Sequence, residues 1–415
     1  MTEPTSTALQ RAFPVVITGH VDHGKSTLIG RLLYDTGTLS HDRYEEMRQS
    51  SLEAGRSDEF AFVLDAFEEE RQRGITIDTA QIFFTSARRP YVIIDAPGHR
   101  EFIRNMLTGA SVAEAAILLL DAGEGIMEQT RRHVWLLNMV GIRDICVAIN
   151  KLDAVGYDRL RYLTLRREIT ELFAEMQLPA PLAIVPMSAL HGENIVRRSD
   201  LLAWYYGPTL LEVLDSLESR PLEERPFRLP VQDCYPARDG QPATVVGRIE
   251  AGALHAGMGC RLLPEGREVT IAAIRFFPET GRDTATCGEA VGVVLADGAT
   301  AARGAILAGG DLPMVGQSFQ VHLFWFLDSY QNGDPVTIRC ATQETTGVIR
   351  LHRVYDPAAP GELEQEPDQI MIGEVALATV ATDVPLVADY AGMVPELGRI
   401  VIDYQGRPAG AGLIL

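Results

Sequence analysis

Eight residues constrain this chain more than any average of its composition: Gly19-His20-Val21-Asp22-His23-Gly24-Lys25-Ser26. They follow Phe13 to Thr18 (FPVVIT), an apolar, β-branched run that reads as a strand buried on both faces. They precede Thr27 to Leu33, which reads as a helix. Strand, G-x-x-x-x-G-K-S loop and helix in that order aim backbone N–H groups and the positive end of a helix dipole at one volume. A phosphate chain fits that volume. Gly19 and Gly24 permit the tight turn, Lys25 neutralises the β/γ oxygens, and the Ser26 hydroxyl is placed to ligate Mg²⁺. The expected phosphate cradle is therefore Gly19, His20, Val21, Asp22, His23, Gly24, Lys25, Ser26 and Thr27, with Gly98 added from the next motif.

That motif is Val92-Ile93-Ile94-Asp95-Ala96-Pro97-Gly98-His99, an apolar strand ending in an acid and a Pro-Gly turn. Asp95 is suited to hold Mg²⁺ through a water, and the Gly98 N–H to sense a γ-phosphate. A third strand, Val147 to Ile149, ends in Asn150-Lys151-Leu152-Asp153. Guanine offers two parallel N–H donors that adenine lacks, so a carboxylate such as Asp153 selects GTP over ATP. Lys151 is expected along the base, and Asn150 to tie this loop to the phosphate loop. Ser188-Ala189-Leu190 follows a fourth strand end, where a backbone N–H near Ala189 can reach guanine O6.

Composition sharpens the same reading. The 37 basic residues comprise 35 arginines and two lysines, Lys25 and Lys151, both inside these motifs. A slim ammonium stem was kept only there. Net charge is -19, from 37 basic against 56 acidic residues, which disfavours a protein that blankets nucleic acid with positive charge. The five cysteines form no C-x-x-C pair, so neither a disulfide framework nor a zinc knuckle is suggested. The longest apolar stretches, such as Ala115 to Leu120, fall short of the roughly 20 residues that cross a bilayer, and Met1 to Arg11 lacks a signal pattern. A soluble cytoplasmic protein with no membrane partner is the expectation.

Between the first two motifs lies Asp35 to Asp78, ending Glu68-Glu69-Glu70-Arg71-Gln72-Arg73-Gly74-Ile75-Thr76-Ile77. Thr76 is the natural second hydroxyl ligand for Mg²⁺, and Asp65 to Arg73 also reads as a solvated charged helix. G-H-V-D-H-G-K-S, R-G-I-T-I, D-A-P-G-H and N-K-L-D, in this order and spacing, resemble the translation-factor branch of GTPases. The resemblance implies GTP/GDP and Mg²⁺ as cofactors and His99 as the catalytic residue orienting the attacking water. It also implies that Val21 and Ile75 form an apolar gate before that histidine.

Downstream, Trp204 to Leu217 is expected to form a last amphipathic helix, with a linker near Glu218 to Pro226. From Phe227 the pattern changes to short alternating β runs between Gly, Pro and Asp, interrupted at Gly309 to Pro313. The expected architecture is an α/β P-loop GTPase domain with a mostly parallel doubly wound sheet (residues 1–218), then two small antiparallel β-barrels (227–310 and 315–415). Several details are similar to the GTPase subunit of bacterial sulfate adenylyltransferase: Gln129-Thr130-Arg131-Arg132-His133, Leu263 to Glu268, Phe324-Trp325, Ile349 to Asp356 and Gly410-Ala411-Gly412. That likeness implies a separate adenylyltransferase subunit as partner, with GTP hydrolysis driving adenosine 5′-phosphosulfate synthesis. The alternative is an elongation factor delivering aminoacyl-tRNA to the ribosome, against which the 23 acids and 13 arginines of residues 227–415 weigh.

Overall fold

A computed structural model describes residues 12–53, 60, 81–95, 113–176, 178–218, 222–238, 242–278, 281–355, 363–365 and 367–415. The chain divides into two compact units, Met1–Ser219 and Arg220–Leu415.

The first unit is built on a six-stranded sheet: β1 (Phe13–Gly19), β2 (Gln81–Thr85), β3 (Pro90–Asp95), β4 (Ala115–Asp121), β5 (Asp144–Asn150) and β6 (Ala183–Pro186). Its order is β2-β3-β1-β4-β5-β6, with only β2 antiparallel to its neighbour. Strands β1 and β4 are buried at every position, which is why they read as continuous apolar runs rather than alternating ones. Around the sheet lie α1 (Lys25–Asp35), α2 (His41–Glu53), α3 (Glu128–Met139), α4 (Arg159–Glu175) and α5 (Leu210–Ser216). The last helix is shorter than its sequence implies. Thr209 and Glu212 form a reciprocal capping box that starts α5 directly after Pro208, so Trp204 to Pro208 stays a loop.

The second unit carries two antiparallel barrels. The first closes through Gly259–Leu263, Arg267–Arg275, Ala290–Leu295, Thr244–Arg248, Arg228–Tyr235 and Ile306–Ala308, which returns to Gly259–Leu263. The second runs Pro335–Cys340, Arg399–Tyr404, Arg407–Ile414, Met314–Trp325, Val375–Ala388 and Gln343–Tyr355, and closes by pairing of the first with the last. Each encloses its own apolar core, Leu229, Val245 and Ile271 in the first and Val321, Trp325 and Ile338 in the second. A fully buried charge pair joins the barrels: Arg228 Nε donates to Asp389 Oδ2 at 2.9 Å, and its other nitrogens reach the carbonyls of Phe227, Gly309 and Asp311. All five cysteines are free. Among the described residues no helix is long and apolar enough to cross a membrane.

Candidate guanine-nucleotide site

The site assembles at the carboxyl ends of the parallel strands, where an open α/β sheet offers its crevice. β1 delivers Gly19, whose φ of +152° belongs to glycine, and a Cβ there would lie 2.7 Å from the Leu119 carbonyl oxygen of β4. A short 3₁₀ turn, Val21–His23, leads to Gly24 at φ +89°, which directly opens α1. Lys25 is the first residue of that helix, and its Nζ donates to the carbonyls of Gly19 (2.7 Å) and His20 (3.0 Å). The ammonium thus lies over the loop it would serve. Ser26 is half-buried and Thr27 buried in the same first turn, while Asp22 is exposed.

Asn150 is the structural hinge of the site. Its Nδ2 donates to the His23 carbonyl at 2.8 Å, and its Oδ1 accepts from the Ala189 N–H at 2.8 Å, so one buried amide links phosphate loop and S-A-L loop. A Cβ on Gly24 would come within 2.6 Å of that same Nδ2, which explains glycine at this position independently of any ligand. Lys151 takes the left-handed conformation, φ +58°, and its Nζ sits 2.8 Å from Asp121 Oδ2. Burial alone would raise the Asp121 carboxyl, but the Lys151 ammonium and the N–H groups of Gly123 and Glu124 outweigh it and hold the group below the usual carboxylate range. Burial likewise opposes the Lys151 charge, and Asp121 reverses the balance, raising that ammonium's pKa. Asp153 follows on a 3₁₀ turn with Oδ1 buried and without a hydrogen-bond partner. Ser188 is buried and accepts the His191 N–H at its Oγ, and Leu190 is exposed, its carbonyl held by Arg31 of α1 at 2.6 Å.

An orphaned carboxylate oxygen beside a cradle that a Cβ would fill fits a guanine nucleotide. Mg²⁺ is fitted less directly. Ser26 stands half-buried in the first turn of α1, Asp95 ends β3, and Thr76 lies outside the described residues, as do Ile75, Gly98 and His99. The apolar gate assigned to Val21 and Ile75 therefore has only the backbone of Val21, in the 3₁₀ turn, among the described residues. His23 is brought to the loop but turns its ring away from the cradle, Nδ1 to the Leu119 carbonyl and Nε2 to Glu124. Asp121 escaped the sequence reading. Its signal was its place as the polar end of Ala115 to Leu120, the same place Asp95 and Asn150 hold on neighbouring strands; register pairs it with Asn150.

Comparison with known proteins agrees with this geometry. The model of the elongation factor Tu GTP binding domain matches residues 10–220, and that of the GTP-eEF1A C-terminal domain-like family matches 318–415. Elongation factor 1-alpha of Methanosphaerula palustris is 36% identical over 97% of this chain and 96% of its own length. Those of Methanoculleus marisnigri and Archaeoglobus fulgidus are each 35% identical over the same shares. A crystal structure of sup35 complexed with GDP aligns over 98% of this chain and 94% of its own at 22% identity, with TM-score 0.45.

These relatives overturn the expectation of a sulfate adenylyltransferase GTPase subunit with a separate adenylyltransferase partner. The residues behind it do local work. Arg132 pairs with Glu128 one turn earlier on α3, and Arg261 with Glu268 across a hairpin turned by Gly266 at φ +75°. Phe324 and Trp325 are fully buried, and a Cβ on Gly410 or Gly412 would strike Phe324 or Ile400 within 2.9 Å. They report how a helix surface, a hairpin and a barrel core are held together. With the phosphate loop, the asparagine hinge and two barrels in one chain, and relatives alike over almost its whole length, the protein belongs to the translation elongation factor Tu/1-alpha-like GTPase family.

Proposed function

We propose that this protein is an elongation factor that grips aminoacyl-tRNA in its GTP state and delivers it to the ribosome. The observation that carries the reading is the 36% identity, over 97% of the chain, to a protein named elongation factor 1-alpha. In this reading residues 1–218 bind nucleotide, and the barrels 227–310 and 315–415 hold the RNA. The phosphates rest on Gly19 to Thr27 and Gly98; Asn150, Lys151, Asp153, Ser188, Ala189 and Leu190 form the guanine pocket. Ser26, Thr76 and, through a water, Asp95 would hold Mg²⁺, which when bound supplies Lewis-acid neutralisation of phosphate charge. Asp153 accepts the base N–H donors, and its lack of an internal partner for Oδ1 favours that use. Lys25 exchanges its loop carbonyls for phosphate oxygens. His99 orients the attacking water, and Val21 and Ile75 screen it until the ribosome intervenes.

The test is GTP turnover with programmed ribosomes and cognate aminoacyl-tRNA. The reading expects ribosome stimulation in the native protein and a fall of about 10²-fold or more in His99→Ala, with GTP affinity unchanged. Hydrolysis indifferent to ribosomes would overturn the delivery role; an undiminished rate in His99→Ala would remove that residue from the mechanism.

A further inference from the structure

Against α4 and β6 the first unit carries a groove of about 640 Å³, lined by none of the residues assigned to the nucleotide. Its floor is aromatic and held in place. The Tyr162 ring packs against Trp204 and Tyr205, with centroids 5.2 and 5.9 Å away. Each ring is also fixed at its polar end: Tyr162 Oη donates to the Ile184 carbonyl (2.9 Å), Trp204 Nε1 to that of Tyr157 (3.2 Å) and Tyr205 Oη to that of Pro208 (3.1 Å). A groove whose walls are already ordered needs little reorganisation to bind. Its rim is apolar yet in water, with Leu163 41%, Leu182 47% and Tyr206 87% exposed. Leu182 leads into β6, the last strand of the sheet, which among the described residues pairs only with β5. Two arginines, Arg159 and Arg166, line the groove, and no carboxylate does. Neither has an ion pair among the described residues, whereas the adjacent Arg167 pairs with Glu171. Arg159 opens α4, where the helix dipole disfavours a cation, and Asp158 before it caps the helix at the Leu160 N–H. On a chain of net charge -19, this is a local positive field set among apolar side chains.

We infer that this groove docks an acidic segment of a partner protein that carries at least one large apolar side chain. The arginines attract the segment's carboxylates, and the aromatic floor receives its apolar anchor; Tyr, Trp and Arg are the residues that protein interfaces concentrate. The apolar surface lies on the rim as well as the floor, so the occupant has to extend across it. A small ligand confined to the floor would leave Leu163, Leu182 and Tyr206 in water. Two arginines set among leucines suit carboxylates that flank an apolar anchor, whereas a nucleic acid presents a continuous run of phosphates that needs more cations than these. The inference stands apart from what the barrels hold, because every residue it uses belongs to the first unit.

The test is selection from a displayed library of random dodecapeptides against the full native chain. Affinities of the enriched peptides are then measured for the native, Arg166→Glu and Tyr206→Ser proteins. Both side chains are exposed, so the variants should fold, and thermal melting checks that they do. Enriched sequences should be net negative, with Leu, Phe or Trp between the acids. Their binding should weaken about tenfold or more in each variant and should fall further as salt rises. Enriched peptides without net negative charge, acidic peptides that bind either variant as tightly as the native chain, or no enrichment at all would overturn the inference. So would a labelled oligouridine that binds the native chain and is lost in both variants, because that result assigns the groove to nucleic acid.

Discussion

At the scale of single residues, the proposed guanine specificity rests on one carboxylate. Asp153 has a buried oxygen without a hydrogen-bond partner among the described residues, and an unpaired buried acceptor is tolerated where a ligand supplies the donor. Asp153→Asn replaces an acceptor with a donor where guanine also donates; about 2–3 kcal/mol of GTP binding, roughly 30- to 160-fold, should be lost while xanthine nucleotides gain. Competition calorimetry with GTP and XTP checks this, and unchanged preference would sink the assignment. Asp121 behaves differently, because its partner is internal. Its carboxyl is depressed by Lys151 and two backbone N–H groups, so its stabilisation is present above the ordinary carboxylate pKa near about 4 and is lost as pH falls through the lower folded-state value. Asp121→Asn should therefore melt below the native protein at pH 7, with the gap closing in acid below about pH 4. A gap independent of pH would show that the Lys151 ion pair contributes nothing to it.

Elements differ in how plainly the chain announces them. β1 and β5 were legible because strands buried on both faces are continuously apolar, and the loops after them because phosphate and guanine chemistry tolerate few residue types. The loop at Trp204 was not legible, since its three consecutive aromatics carry no period and only the Thr209–Glu212 box settles where α5 begins. Three-residue strands such as Ile306–Ala308 escaped notice for a related reason: so short a run has no period to read, and closure of the barrel decides its role. Nor could the sequence announce that Arg228 and Asp389, 161 positions apart, meet in a buried bidentate pair. That pair yields its own prediction. Asp389→Ala strands a buried guanidinium and should cost about 3–5 kcal/mol in chemical denaturation, while Arg228→Met with Asp389→Leu should cost much less. Additive losses in that double-mutant cycle would mean the two side chains do not act as a pair.

For the molecule as a whole, the unresolved tension in the sequence was electrostatic. An excess of acids, 23 against 13 arginines over residues 227–415, argued against RNA, and motif details were read toward a different partner. Relatives named elongation factor 1-alpha, alike over 97% of the chain, favour the proposed delivery role over that weighting, since net charge sums over a surface whereas RNA needs only one basic face. In the proposed delivery role nucleotide state governs the grip on aminoacyl-tRNA, and filter binding of charged tRNA to the protein loaded with non-hydrolysable GTP or with GDP, over a series of salt concentrations, measures that grip. Binding by the GTP form should weaken linearly in log–log against salt, the GDP form should bind at least about tenfold more weakly, and uncharged tRNA should show little affinity. Equal affinity in the two nucleotide states, or none in either, would contradict that role.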